Sequence, residues 1–202
     1  MIYNFLTGDL IIKSLIVLLA LFNFNLSAHK LHMYPDAPLK IITIGHPTLT
    51  MIAGEIPYEE ISSEETQELI DKMIVTMKKA GGVGLAAPQV NVSKRLFVMK
   101  PSWFKKAEAI INPVVEYIDG AGTKSSTEGC LSIPGKQFKV ERYKELNLSY
   151  YTREGEFMSE HATGFRAIVA QHEYDHLNGI LIANFFFPNF VPMPISKDVP
   201  LM

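Results

Sequence analysis

The segment His172-Glu173-Tyr174-Asp175-His176 constrains the fold of this chain more than any other stretch. Histidines four apart on a helix project from one face and can reach a single metal ion. Phe165, Ile168, Val169, His172 and His176 fall at offsets 0, 3, 4, 7 and 11, so both imidazoles extend an apolar stripe instead of pointing to water. The pattern predicts a helix from about Phe165 to Asn178, stopped by Gly179, and a place for it inside the protein. Two core histidines with satisfied hydrogen bonds are the other explanation, but a glutamate beside the first histidine favours the metal.

Two histidines leave a metal underligated, and a catalytic site needs a third protein donor with one position left open. Cys130 is the candidate, because it is the sole cysteine of the 202 residues and no disulfide can claim it. It lies in Glu128-Gly129-Cys130-Leu131-Ser132, where Gly129 lets backbone approach closely. A Cys-His-His set suits zinc or ferrous iron and disfavours calcium or magnesium, which take oxygen ligands. A third segment, Gly82-Val83-Gly84-Leu85-Ala86-Ala87-Pro88-Gln89, lacks the Gly-Lys-Ser/Thr ending of a phosphate-binding loop. Gln89, close behind its glycines, could instead present an amide to a reacting carbonyl.

Around these segments the chain reads as one α+β domain with mixed or antiparallel β-sheets packed around the metal-binding helix. Lys40 to Ile44 reads as a short strand ended by Gly45-His46-Pro47. Ser62 with Glu65 three residues later forms a capping box, and Leu69, Ile70, Met73, Ile74 and Met77 give the following helix its apolar stripe up to Gly81. Leu96 to Met99, Ala109 to Ile118 and Leu146 to Tyr151 have strand composition, and Arg153-Glu154-Gly155-Glu156 reads as a turn into another strand. A net charge of -2 offers no field to gather nucleic acid or anionic membrane.

Residues 1–32 differ in kind. An apolar run from Leu15 to Phe22 is too short to span a bilayer, which takes ~20 residues, but it fits the centre of a signal peptide with a weak positive start. The expectation is an appended leader or a translation start at Met33, with a catalytic domain over 33–187 and a Pro-rich tail over 188–202 that carries Pro188, Pro192 and Pro194. Membrane contact or export would follow only from a retained leader; otherwise the chain belongs in the cytoplasm.

Gly82 to Gln89, Glu128 to Ser132 and Gln171-His172-Glu173-Tyr174-Asp175-His176-Leu177-Asn178-Gly179 resemble, in order and spacing, the three signature motifs of peptide deformylases. Ile111-Asn112-Pro113 and Arg142 also sit where that family usually has such residues. The resemblance implies hydrolysis of the N-formyl group from the formylmethionine of nascent proteins, giving formate and a free methionyl terminus. It implies Cys130, His172 and His176 as ligands of one ion per chain, ferrous iron with zinc or another divalent transition metal able to substitute. Glu173 would be the general acid/base, Gln89 and the backbone N–H of Leu131 would hold the formyl oxygen, and Gly84 would contact the substrate. The implied partners are N-formylmethionyl nascent peptides and, transiently, the ribosome, although the tail replaces a C-terminal helix of some bacterial members. Gln137 stands where some members have an arginine. The competing functions are a His-Glu-x-x-His zinc protease, whose third ligand lies downstream of the helix, and a non-catalytic metal-binding protein, which would have no use for Glu173.

Overall fold

The structure, a computed structural model, describes residues 37–102 and 105–185. The leader and the Pro-rich tail both lie outside the described residues. Helix α1 spans Glu64–Lys79 and helix α2 spans Gly164–Leu177. The strands are β1 (Gly84–Ala86), β2 (Leu96–Met99), β3 (Glu108–Tyr117), β4 (Thr123–Cys130), β5 (Ile133–Tyr143), β6 (Glu145–Tyr151) and β7 (Phe157–Thr163). They form a five-stranded sheet in the order β1-β2-β3-β6-β7 and a two-stranded sheet of β4 and β5. The class is α+β as the sequence implies, and every pairing between these seven strands is antiparallel.

Successive side chains of a strand point to opposite faces, and β2 uses both. Leu96 and Val98 pack with Ile70, Met73, Ile74 and Met77 of α1, while Phe97 and Met99 pack with Ala167, Val169 and Ala170 of α2. The large sheet is therefore held between the two helices. Farther out, β6 covers one face only: Leu146, Leu148 and Tyr150 are buried beneath α2, and Asn147 and Ser149 alternate with them toward solvent. That is the alternation read from the sequence, and its strand begins one residue earlier than expected.

Helix α1 carries the expected stripe but starts one residue late. Its N-cap is Ser63, whose Oγ accepts the Thr66 backbone N–H at 3.3 Å, so the Ser62–Glu65 box does not form. Ser63→Ala should destabilise the protein by about 1 kcal/mol. Urea unfolding checks this, and an unchanged midpoint would show that solvent serves the Thr66 donor equally well.

The expected strand from Lys40 to Ile44 is a second correction. Its backbone donors are divided, Ile42 N–H to the Gln89 carbonyl and Ile44 N–H to the Ser132 carbonyl, each at 2.9 Å, so no single neighbour supplies a ladder. The segment thereby ties together the two loops that carry Gln89 and Cys130. The hairpin of β4 and β5 was not anticipated at all.

The stripe of α2 is a third correction. Phe165 and Ile168 are only half-buried and line a cleft, while Ala167, Ala170 and Leu177 meet the large sheet. A helix with a cleft on one side and a sheet on the other is buried nearly all round, so its apolar stripe does not mark the core face. The helix ends at Gly179, whose φ of +70° and position 2.6 Å from the Thr50 carbonyl oxygen, measured from where a Cβ would stand, leave no room for a side chain.

Candidate active site

Two elements bring three donors to one point. Histidines 172 and 176 project from α2, and Cys130 closes β4 just before the turn to β5. One ligand atom from each lies within 4.8 Å of the others, and Cys130 Sγ is 3.3 Å from His176 Nε2. Two donors ~2.0–2.3 Å from one tetrahedral ion stand about that far apart. All three residues are buried, and thiolate with imidazole is a donor set for a transition metal. The site therefore fits a metal ion on donor chemistry and on spacing.

The ring of His172 is aimed from behind. Its Nδ1 is 2.9 Å from Glu128 Oε2, which leaves Nε2 for the cleft. Glu128 in turn takes two hydrogen bonds of 2.9 Å from Arg142 Nε and Nη2, and Arg142 Nη1 donates to Asp175 Oδ2 at 2.6 Å. Burial opposes the charge on Glu128, but His172 and Arg142 outweigh it and hold the carboxyl down at about 2. Burial likewise opposes a proton on His172, and its bonds to Cys130 and Glu128 raise its pKa to about 10, so proton and metal compete for this ring. Burial pushes His176 well below its ordinary value and keeps it neutral.

Glu173 enters the cleft one residue round the helix from His172. Burial pushes its carboxyl up to about 7, with His172 pulling the other way. Its Oε2 has no hydrogen-bond partner among the described residues. Gly84, at the edge of the large sheet, lies flush against this carboxylate: a Cβ there would stand 2.7 Å from Glu173 Cδ. Gln89 is fixed at its other end, Oε1 accepting the Ala86 N–H at 2.8 Å, so that Nε2 faces Ser132 Oγ at 3.3 Å and Cys130 Sγ at 3.6 Å. Gly84, Gln89, Cys130, Leu131, His172 and Glu173 all line one cleft of about 930 Å³, and His176 lies behind its floor beside Cys130.

Every residue given a site role from the sequence thus lines or backs this one cleft, whereas Asn112 lies elsewhere and bonds the Ile56 backbone. The sequence reading missed the functions of Glu128, Arg142, Asp175 and Gln171. Gln171 docks α2 on the end of β5, its amide donating to the Tyr143 carbonyl at 2.9 Å and accepting the Tyr143 N–H at 3.0 Å. No local signal announces partners 14, 28, 33 or 44 residues apart. A charged residue inside each of two motifs was the available hint.

The family described as polypeptide deformylase matches residues 38–187, which include the whole of this site. The chain belongs to that family. A peptide deformylase of Fusobacterium nucleatum is 43% identical over 142 residues, covering 70% of this chain and 80% of the relative. The chloroplastic peptide deformylase 1A of Solanum lycopersicum is 34% identical over 194 residues, 88% of this chain and 68% of the relative. Among solved structures, a class I type b peptide deformylase from Acinetobacter baumannii bound to Met-Ala-Ser superposes with a TM-score of 0.69 at 34% identity, covering 74% of this chain and 99% of that one. Membership of the peptide deformylases makes the chain a hydrolase of the formamide bond, acting in the N-terminal processing of proteins, and disfavours the protease alternative. Among the described residues no helix is long and apolar enough to cross a membrane.

Proposed function

We propose that this cleft removes the formyl group from N-formylmethionyl peptides with Cys130, His172 and His176 holding one ferrous ion. The observation that carries the reading is the meeting of those three donors with the buried Glu173 carboxylate, whose Oε2 has no hydrogen-bond partner among the described residues. When bound, the ion supplies Lewis acidity, which brings the pKa of water toward neutrality. Glu173 accepts a proton from the attacking water and returns it to the methionine nitrogen, which could not leave as an amide anion. A carboxyl held near neutrality suits both transfers.

Gln89 Nε2 and the Leu131 N–H are the donors for the formyl oxygen as it gains charge. Losing one such donor costs about 10²–10³ in rate. The Gln89 amide is preorganised for this by its bond to Ala86. Strand β1 lies at an edge of the large sheet, so an extended peptide can lie beside Gly84, whose missing side chain keeps that edge open.

The substrates are nascent chains met in the cytoplasm, with transient approach to the ribosome, and the catalytic domain is residues 33–187. Formate release from formyl-Met-Ala-Ser, run beside casein cleavage and anaerobic metal analysis, tests the reading on the full chain and on a product begun at Met33. Both proteins should release formate, carry iron and leave casein intact. Casein cleavage, or formate release independent of metal, would overturn the mechanism; an inactive shorter product would return residues 1–32 to the domain.

A further inference from the structure

The cleft is charged unevenly. Of its titratable lining residues, Glu128, Cys130, His172 and Glu173 are buried and belong to the machinery already described. Lys136 alone among the charged lining residues is exposed, and it forms no ion pair among the described residues. Its position comes from a break in the hairpin. Cys130 pairs with Ile133, but Gly129 pairs with Gln137, so Pro134, Gly135 and Lys136 are extra residues thrown out of the ladder at the cleft rim. Bulges beside active sites re-aim side chains in this way.

The surroundings reinforce the sign. Lys124 and Lys139 are exposed on the same hairpin against a single exposed acid, Glu141. With the formyl end at the donors, the residues that follow the methionine run along the cleft that Gly84 and Lys136 both line.

Resting on the deformylase reading above, we infer that Lys136 is a specificity-determining residue that makes the enzyme favour formylmethionyl peptides with aspartate or glutamate at the second or third position. The contact is an exposed one, so its effect is modest, about two- to fivefold. It acts on binding, and therefore on KM more than on kcat.

The test compares kcat/KM for amidated formyl-Met peptides carrying Asp, Asn or Lys at position two or three. Wild-type enzyme should prefer Asp over Lys by about two- to fivefold, with the preference fading in 0.5 M salt. Lys136→Gln should abolish it and Lys136→Glu should reverse it, both with unchanged turnover of the Asn peptides, because the side chain touches none of the reacting groups. Equal rates for Asp and Lys in the wild type, or a preference that survives Lys136→Gln, would overturn the assignment while deformylation stands. No formate from any peptide would sink the deformylase reading and this inference with it.

Discussion

Glu173→Ala should retain its full complement of metal and lose about 10²–10⁴ in deformylation rate. The carboxylate is not one of the three donors that meet at Cys130 Sγ, so its removal breaks no bond to the ion. It is buried against Gly84 with one oxygen lacking a partner, a costly arrangement that proton transfer explains and packing does not. The space left by alanine opens into the cleft, so stability should hold or rise slightly. Metal stoichiometry, formate release and an unfolding curve on one preparation decide the matter. Full metal with near-normal turnover removes Glu173 from the mechanism, and lost metal makes it part of the metal site instead.

Glu128→Ala should be the most damaging change to the fold of the site. It strips Arg142 of two charge-assisted hydrogen bonds and leaves the guanidinium buried with Asp175 alone. Breaking a buried pair from one side costs about 3–5 kcal/mol. The same change frees the His172 ring, and loss of such an outer partner typically lowers metal affinity about 10–100-fold. Denaturant unfolding and competition with a chelator read the two effects separately. A loss below about 1 kcal/mol would mean that Asp175 suffices for Arg142.

Helix α1 and strand β6 could be read from sequence because each buries one defined face. In α1 the stripe from Ile70 to Met77 states its period directly, and in β6 Leu146, Leu148 and Tyr150 do the same. The hairpin of β4 and β5 escaped because it presents no such face. From Thr123 to Thr127 no residue is buried, and Ile133 to Tyr143 is exposed at most positions, so the hydrophobic effect leaves no periodic mark. What orders the hairpin comes from distant parts of the chain: Ile133 and Val140 pack with Leu49, Leu181 and Ile182, Arg142 reaches Asp175, and Tyr143 meets Gln171. The ligands were legible because a metal requires particular side chains at particular spacings. Their supports were not, because a carboxylate that steadies an imidazole can come from any element that passes nearby.

The break in the β5 ladder also separates two kinds of heritable change. Pro134, Gly135 and Lys136 sit between the Gly129–Gln137 and Cys130–Ile133 pairs without belonging to either. An insertion, a deletion or a charge reversal among them leaves the thiolate donor and the carboxylate behind His172 anchored on either side. On the inference drawn for Lys136, a change of charge in this loop would shift which peptides are processed fastest without touching the donors that perform the chemistry.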